Sequence, residues 1–242
     1  MTEDFYHRTA EYVAVLLRQA WRALGPALAD ALSDLDTSGG PVVDIGAGTG
    51  LGTAVLAAAL PDADIIAIEP NPALRTALLA RCVEDDDLAR RVTVLGTDAH
   101  SAPLPDRLSA VIAMNVLGHF DPGERRALWE ILDGRLIPGG RALLNLQPPT
   151  TAVTVPTTPM ARVRIGGLEY FGAAAAEPAG PDTITWRMTY RVERQGDVVT
   201  ELTASDLWHV ITASALADEV AEYGLRLAVT DPEHELYAIT RV

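Results

Sequence analysis

Asp44 stands two places before the run Gly46-x-Gly48-x-Gly50. Glycines at this spacing let the backbone pass close to a ligand, and a helix opening behind them offers unpaired N–H groups. Position 51, where a dinucleotide fingerprint needs its third glycine, is Leu51. The Asp44 carboxylate would repel a pyrophosphate and favour a ligand that carries an ammonium and a sulfonium. Taken alone, the glycines also suit a plain strand-to-helix turn. Glu69 follows Gly50 by nineteen residues, where an acid ending a second strand can accept both hydroxyls of a ribose. A solvated strand-end carboxylate is the other reading. Asp98 and Ala99 follow a third strand. There the carboxylate could accept from an adenine amino group while the Ala99 N–H donates to a ring nitrogen.

His119 is the candidate general base, because it falls at the carboxyl end of a fourth strand, where cofactor and acceptor should meet. The alternative is a helix-entry histidine packed on Phe120. His209 reads as a solvent-facing strand residue, and none of the five histidines has metal-ligand spacing with a cysteine or carboxylate, so no metal is expected. Tyr6 and Tyr170 are candidates for an acceptor pocket wall.

The elements that must position these groups alternate in type. Residues 1–30 have helical periodicity, with Pro26 expected to break the helix. Val42-Val43-Asp44-Ile45, Asp64 to Glu69, Val92 to Leu95, Leu108 to Met114 and Arg141 to Leu146 read as strands, separated by helical runs. Asn71-Pro72 and Asp121-Pro122-Gly123-Glu124 are helix starts, the second a capping box. Such alternation implies a mostly parallel sheet with right-handed crossovers. The pattern then changes. Residues 148–159 read as a Pro/Thr-rich connection, 184–192 as a half-buried strand, and 198–210 as its return after the turn at 195–197. A helix from Ser214 to Tyr223 and a strand over 237–240 complete the chain.

In order, these motifs resemble those of class I S-adenosylmethionine-dependent methyltransferases. Val42 to Gly50 is similar to their first motif, Ile68-Glu69-Pro70-Asn71 to the second, and Asp98 to Asp106 to the loop after their third strand. Met114 to Phe120 and Leu136-Ile137-Pro138-Gly139-Gly140 follow in sequence. The resemblance covers about residues 40–147. It implies an α/β fold with a doubly wound, seven-stranded sheet of order 3-2-1-4-5-7-6, strand 7 antiparallel. It also implies S-adenosyl-L-methionine as cofactor. By that resemblance Asp44 orders the glycine turn and the methionine amino group, and Gly46, Ala47, Gly48 and Gly50 pass beside the methionine moiety. Glu69, with Pro70 next to it, holds the ribose; Asp98 and Ala99 bind adenine; Asn115 and Val116 line the sulfonium side.

The expected organisation is a single domain over 1–242, with a helical cap (1–35), a cofactor-binding core (40–147) and an antiparallel insertion (151–210) lying on the main sheet over the acceptor site. The expected function is O- or N-methylation of a small molecule. A cofactor-binding enzyme doing cyclisation or decarboxylation, and a non-catalytic regulatory subunit, are the other readings. A formal charge of −14 argues against nucleic-acid partners. All nineteen basic residues are arginine, which excludes Schiff-base and P-loop lysine chemistry. The lone Cys82, an acidic N-terminus and the lack of a long apolar run point to a cytoplasmic protein with no membrane partner. An apolar face on the insertion would support a homodimer.

Overall fold

In the computed structural model, residues 3–242 are described, with side chains from residue 5 onward. The chain opens with helix α1 (Glu3–Leu32), followed by β1 (Val42–Ile45), α2 (Leu51–Ala59), β2 (Ile65–Ile68), α3 (Pro72–Glu84), α4 (Asp86–Arg91) and β3 (Val92–Leu95). Next come β4 (Leu108–Ala113), a 3₁₀ turn over Leu117–His119, α5 (Pro122–Arg135) and β5 (Leu136–Asn145). Four long strands follow: β6 (Val155–Ile165), β7 (Leu168–Pro178), β8 (Thr183–Arg194) and β9 (Asp197–His209). The chain closes with α6 (Ala213–Ala221), β10 (Leu225–Asp231) and β11 (Leu236–Arg241).

Seven strands form the main sheet, in the order β10-β11-β5-β4-β1-β2-β3. It is parallel from β3 to β5, while β11 runs antiparallel to both β5 and β10. This is the order and polarity that the motif series implies. The central strands β1 and β4 are buried along their whole length because both faces are covered. On one face Val43, Ile45, Val111 and Ala113 pack with Leu128, Trp129 and Leu132 of α5 and Leu216 and Val220 of α6. On the other, Val42, Ala110 and Ile112 pack with Leu28 of α1, Leu56 of α2 and Leu78 of α3. Strand parity therefore assigns each side chain to one of two cores. No described helix is long and apolar enough to cross a membrane.

Two sequence expectations are corrected here. The first helix does not break at Pro26 but continues to Leu32. Proline deprives the helix of one hydrogen bond, at a cost of about 3 kcal/mol. Leu28 and Leu32 beyond it are both 0% exposed, and burying each contributes roughly 1.5–3 kcal/mol, which offsets the break. Residues 148–159 are likewise not all connection, since β6 begins at Val155. It forms the outer edge of its sheet and is mostly exposed, so it has no apolar alternation to signal it. Pro156 and Pro159 are tolerated because an edge strand need not donate on its open side.

The insertion also departs from its expected placement on the main sheet. β6, β7, β8 and β9 pair in sequence order as an antiparallel sheet of their own. α1 joins the two sheets. Its C-terminal half lies on the main sheet, and its N-terminal half lays Tyr12 and Leu16 against Tyr190 and Val192 of β8. The Tyr12 and Tyr190 rings stack at 4.9 Å. A second junction lies at the 3₁₀ turn, where the Trp208 indole covers Gly118 so closely that a Cβ there would sit 1.8 Å from Trp208 Cε2. Gly118→Ala should therefore displace the indole and destabilise the protein by about 1–3 kcal/mol, measured by urea denaturation. An unchanged midpoint would show that the junction is loose.

Candidate active site

The site is built at the carboxyl ends of β1, β2 and β4, where the chain winds in opposite directions from the middle of the sheet and such folds bind ligands. The turn after β1 holds Gly46, Gly48 and Gly50 at φ of 66°, 58° and 79°, a region that residues with a Cβ rarely enter. At Gly46 the need is also steric, since a Cβ would lie 2.5 Å from Val116 Cγ2. At Gly48 a Cβ would meet only the Gly46 carbonyl oxygen, at 3.9 Å, so the need for glycine there is one of backbone conformation. Gly50 caps α2, packed against Leu78 and Arg81.

Two acids hold this turn. Asp44 is buried behind it and accepts from the Thr53 hydroxyl of α2 at 2.6 Å. Burial pushes its carboxyl up to about 7, against the lowering effect of that hydrogen bond, and nearby Glu69 raises it further. Glu69 accepts from Gly48 N–H through Oε2 and from Asn71 N–H through Oε1, both at 2.8 Å. Burial raises its pKa as well, opposed by those two hydrogen bonds. Each oxygen keeps lone-pair capacity for a further donor.

Beyond β4 the backbone enters the left-handed region at Asn115, with φ 59°. A reciprocal amide contact supports it. Asn145 Oδ1 accepts from Asn115 N–H at 2.6 Å, and Asn145 Nδ2 donates to Asn115 Oδ1 at 2.9 Å. Asp98 is exposed and ties its own loop, accepting from the N–H groups of His100 and Ser101 and from the Ser101 hydroxyl. The Ser101 hydrogen bonds hold its carboxyl below the usual range.

These elements enclose a cavity of about 310 Å³. Gly46, Ala47, Gly48, Glu69 and Pro70 form one wall, and Asp98, Ala99, Asn115 and Val116 another. α1 supplies the roof with Tyr6, Val13, Leu17 and Trp21, which share one helix face. His119 and Phe120 close the end. There Tyr6 Oη and His119 Nε2 are 3.0 Å apart. The His119 side chain is only 9% exposed, and this burial lowers its pKa to about 4 although Asp206 acts to raise it. Burial, with Asp206 next, raises the Tyr6 phenol well above its usual value. Near neutral pH the pair is thus a protonated phenol and a neutral imidazole.

The cavity wall fits a cationic nucleoside. Its charged side chains among the described residues are the carboxylates of Glu69, Asp98 and Glu124, with no arginine. That donor set suits ribose hydroxyls, an adenine amino group and positive charge, and offers nothing to a pyrophosphate.

Most residues singled out in the sequence meet here, with exceptions. Asp44 lies one layer behind the wall, and Tyr170 is not at the cavity. Strand parity turns Tyr170 into the cluster of Tyr12, Leu16 and Tyr190 between α1 and the second sheet. His209 is half-buried rather than solvent-facing. Sequence reasoning missed Trp21, Asn145 and Asp206 as site residues. Trp21 had a signal in its helical spacing from Val13 and Leu17, and Asp206 had one in strand parity.

A parallel, doubly wound sheet with a glycine turn, an acid at the end of β2 and a nucleoside-sized cavity defines a class I methyltransferase architecture. The chain matches the methyltransferase domain family over residues 42–140. It is 30% identical over 203 residues to a trans-aconitate 2-methyltransferase of Methylobacterium radiotolerans, covering 79% of this chain and 72% of that one. Among solved structures, an S-adenosylmethionine-bound amino pentose methyltransferase from Micromonospora echinaspora superposes with a TM-score of 0.73 at 18% identity, covering 92% of each chain. A sugar N-methyltransferase from a Streptoalloteichus species gives 0.68 at 17% identity, covering 90% of this chain and 86% of that one. The chain belongs to the class I S-adenosylmethionine-dependent methyltransferases; it is an enzyme, and its cofactor is S-adenosylmethionine.

Asp44 supplies a test of the site's electrostatics. Its folded pKa lies above its unfolded one, so the stabilisation from its buried neutral form is complete below about pH 4. That stabilisation is lost as pH rises through about 7. Asp44→Asn cannot ionise, so without cofactor its stability relative to wild type should rise between pH 4.5 and 7.5. Urea denaturation of both proteins measures this, and a difference that stays constant with pH would refute it.

Proposed function

We propose that this enzyme methylates an oxygen or nitrogen of a small-molecule acceptor, and that Tyr6 and His119 manage the acceptor's proton. The observation that carries this reading is the Tyr6–His119 hydrogen bond at the end of the cavity, next to Asn115 and Val116. The bound cofactor supplies a sulfonium-activated methyl group. Tyr6 Oη can accept from the acceptor's O–H or N–H while giving its own proton to His119 Nε2, which leaves the nucleophile a free lone pair. A positioned base of this kind contributes about 10²–10⁴-fold.

The other roles follow from position. Glu69 takes the ribose hydroxyls on its remaining lone pairs, beside Pro70. Asp98 and Ala99 take the adenine edge, and Asn115 and Val116 flank the sulfonium. Gly46, Ala47 and Gly48 pass along the methionine moiety, and Asp44 holds the turn from behind. The chain works as one domain over 1–242, with a cap (1–35), a cofactor core (40–147) and an insertion (151–210) next to the acceptor end. A small acceptor is supported by the enclosed cavity and by relatives named for trans-aconitate and an amino pentose. The single buried cysteine, Cys82, suits a cytoplasmic setting. Exposed Ile165, Val198 and Val199 on the second sheet are the apolar surface that a homodimer would bury.

Calorimetric titration should show binding of S-adenosylmethionine and S-adenosylhomocysteine to the wild type, weakened at least tenfold by Glu69→Ala. A panel of small amines, alcohols and carboxylic acids, scored by S-adenosylhomocysteine release, then identifies the acceptor. With that acceptor, Tyr6→Phe and His119→Ala should each lower kcat about 10²-fold or more while leaving cofactor affinity within about twofold. Full turnover in both variants would remove them from the chemistry.

A further inference from the structure

β9 brings a second group of residues to His119. Ala204, Asp206, Trp208 and Val210 recur at alternate positions and are all buried, while Ser205 and Leu207 between them are exposed and His209 is half-buried. A carboxylate in such an inward row is costly unless matched by charge or hydrogen-bond donors. Asp206 Oδ2 lies 3.6 Å from His119 Nδ1, with the two side chains only 5% and 9% exposed. The opposite ring nitrogen, Nε2, meets Tyr6 Oη at 3.0 Å. Trp208 packs edge-on to the imidazole with centroids 4.6 Å apart, and its own place is set by the bare backbone of Gly118.

A neutral imidazole carries its proton on one nitrogen, and its surroundings choose which. With the proton on Nδ1, the N–H stands 3.6 Å from Asp206 Oδ2, beyond hydrogen-bond length but within charge–dipole range, and Nε2 offers a lone pair to the Tyr6 hydroxyl. In the other tautomer the Nδ1 lone pair would face a carboxylate oxygen, two negative ends in a buried site. His119 would then donate to Tyr6 and could not receive its proton. We propose that Asp206 is a positioning residue that holds His119 in its Nδ1–H tautomer, so that the second sheet contributes part of the proton-handling apparatus. This rests on the reading of Tyr6 and His119 as the pair that manages the acceptor's proton.

The tautomer can be read directly by two-bond ¹⁵N–¹H correlation of histidine-labelled protein, with S-adenosylhomocysteine as the only added ligand and His119→Gln used to assign the signal. The wild type should show the Nδ1–H pattern for His119. Asp206→Ala and Asp206→Asn should lose it or mix it, and Asp206→Glu should restore it in part. S-adenosylhomocysteine affinity within about twofold of wild type in any one variant shows that the fold persists. With an acceptor from the panel, the same variants should lower kcat about 10- to 100-fold, below the ceiling set by the base itself, with little change in KM. An Nε2–H pattern in the wild type would overturn the proposal without the need for any variant. So would a tautomer and kcat that ignore loss of the carboxylate. If His119→Ala leaves turnover intact, the proton-handling reading fails even where the tautomer result holds, so the two failures are distinct.

Discussion

The Glu69 carboxylate is the clamp on which the glycine-turn end of the cavity depends. Its two oxygens take the N–H groups of Gly48 and Asn71, one beyond the end of β1 and one beyond the end of β2. Three left-handed glycines in five residues would otherwise leave the turn with much backbone freedom and little to restrain it. Glu69 closes it from one side and the Asp44–Thr53 contact from behind. Both acids are nearly fully buried, 4% and 3% exposed, so this preorganisation is held at an electrostatic cost that a bound cation would relieve.

The His119 end of the cavity is organised differently. No single strand carries it. α1 brings Tyr6, the 3₁₀ turn brings His119, and β9 brings Asp206 and Trp208. Among the described residues the two sheets share no hydrogen-bonded strand pair, and α1 packing and the Trp208–Gly118 contact join them. The Tyr6–His119 contact is therefore coupled to a packing junction, whereas the glycine turn rests on the centre of the parallel sheet.

The cofactor half was legible because its signals are local. A buried strand, a turn that demands glycine and a helix start are each set by neighbours within a few residues, and five motifs in order carried the family resemblance that implied their arrangement. The same locality explains the accurate start of α5, where Asp121 and Glu124 form the expected capping box. The misreadings occurred where distant partners decide. Pro26 would end an isolated helix, but the cores that receive Leu28 and Leu32 carry α1 through it. β6 has no apolar alternation because it is an exposed edge, and Tyr170 was assigned a pocket that its strand parity denies it.

The sequence by itself determined the alternation of buried strands, glycine turn and helix starts that builds a doubly wound core, because short-range sterics and apolar patterning specify them, and the family resemblance of its motifs implied the strand order that the sheet has. Only the tertiary structure decided that the insertion forms a sheet of its own and that α1 runs on through Pro26 to join the two sheets. It alone set Asn145 behind Asn115 and Asp206 beside His119. Tyr6 and His119 are 113 residues apart in the chain and 3.0 Å apart in space. No local pattern encodes such a contact, which exists only once two separate cores have set the distance between the elements that bear it.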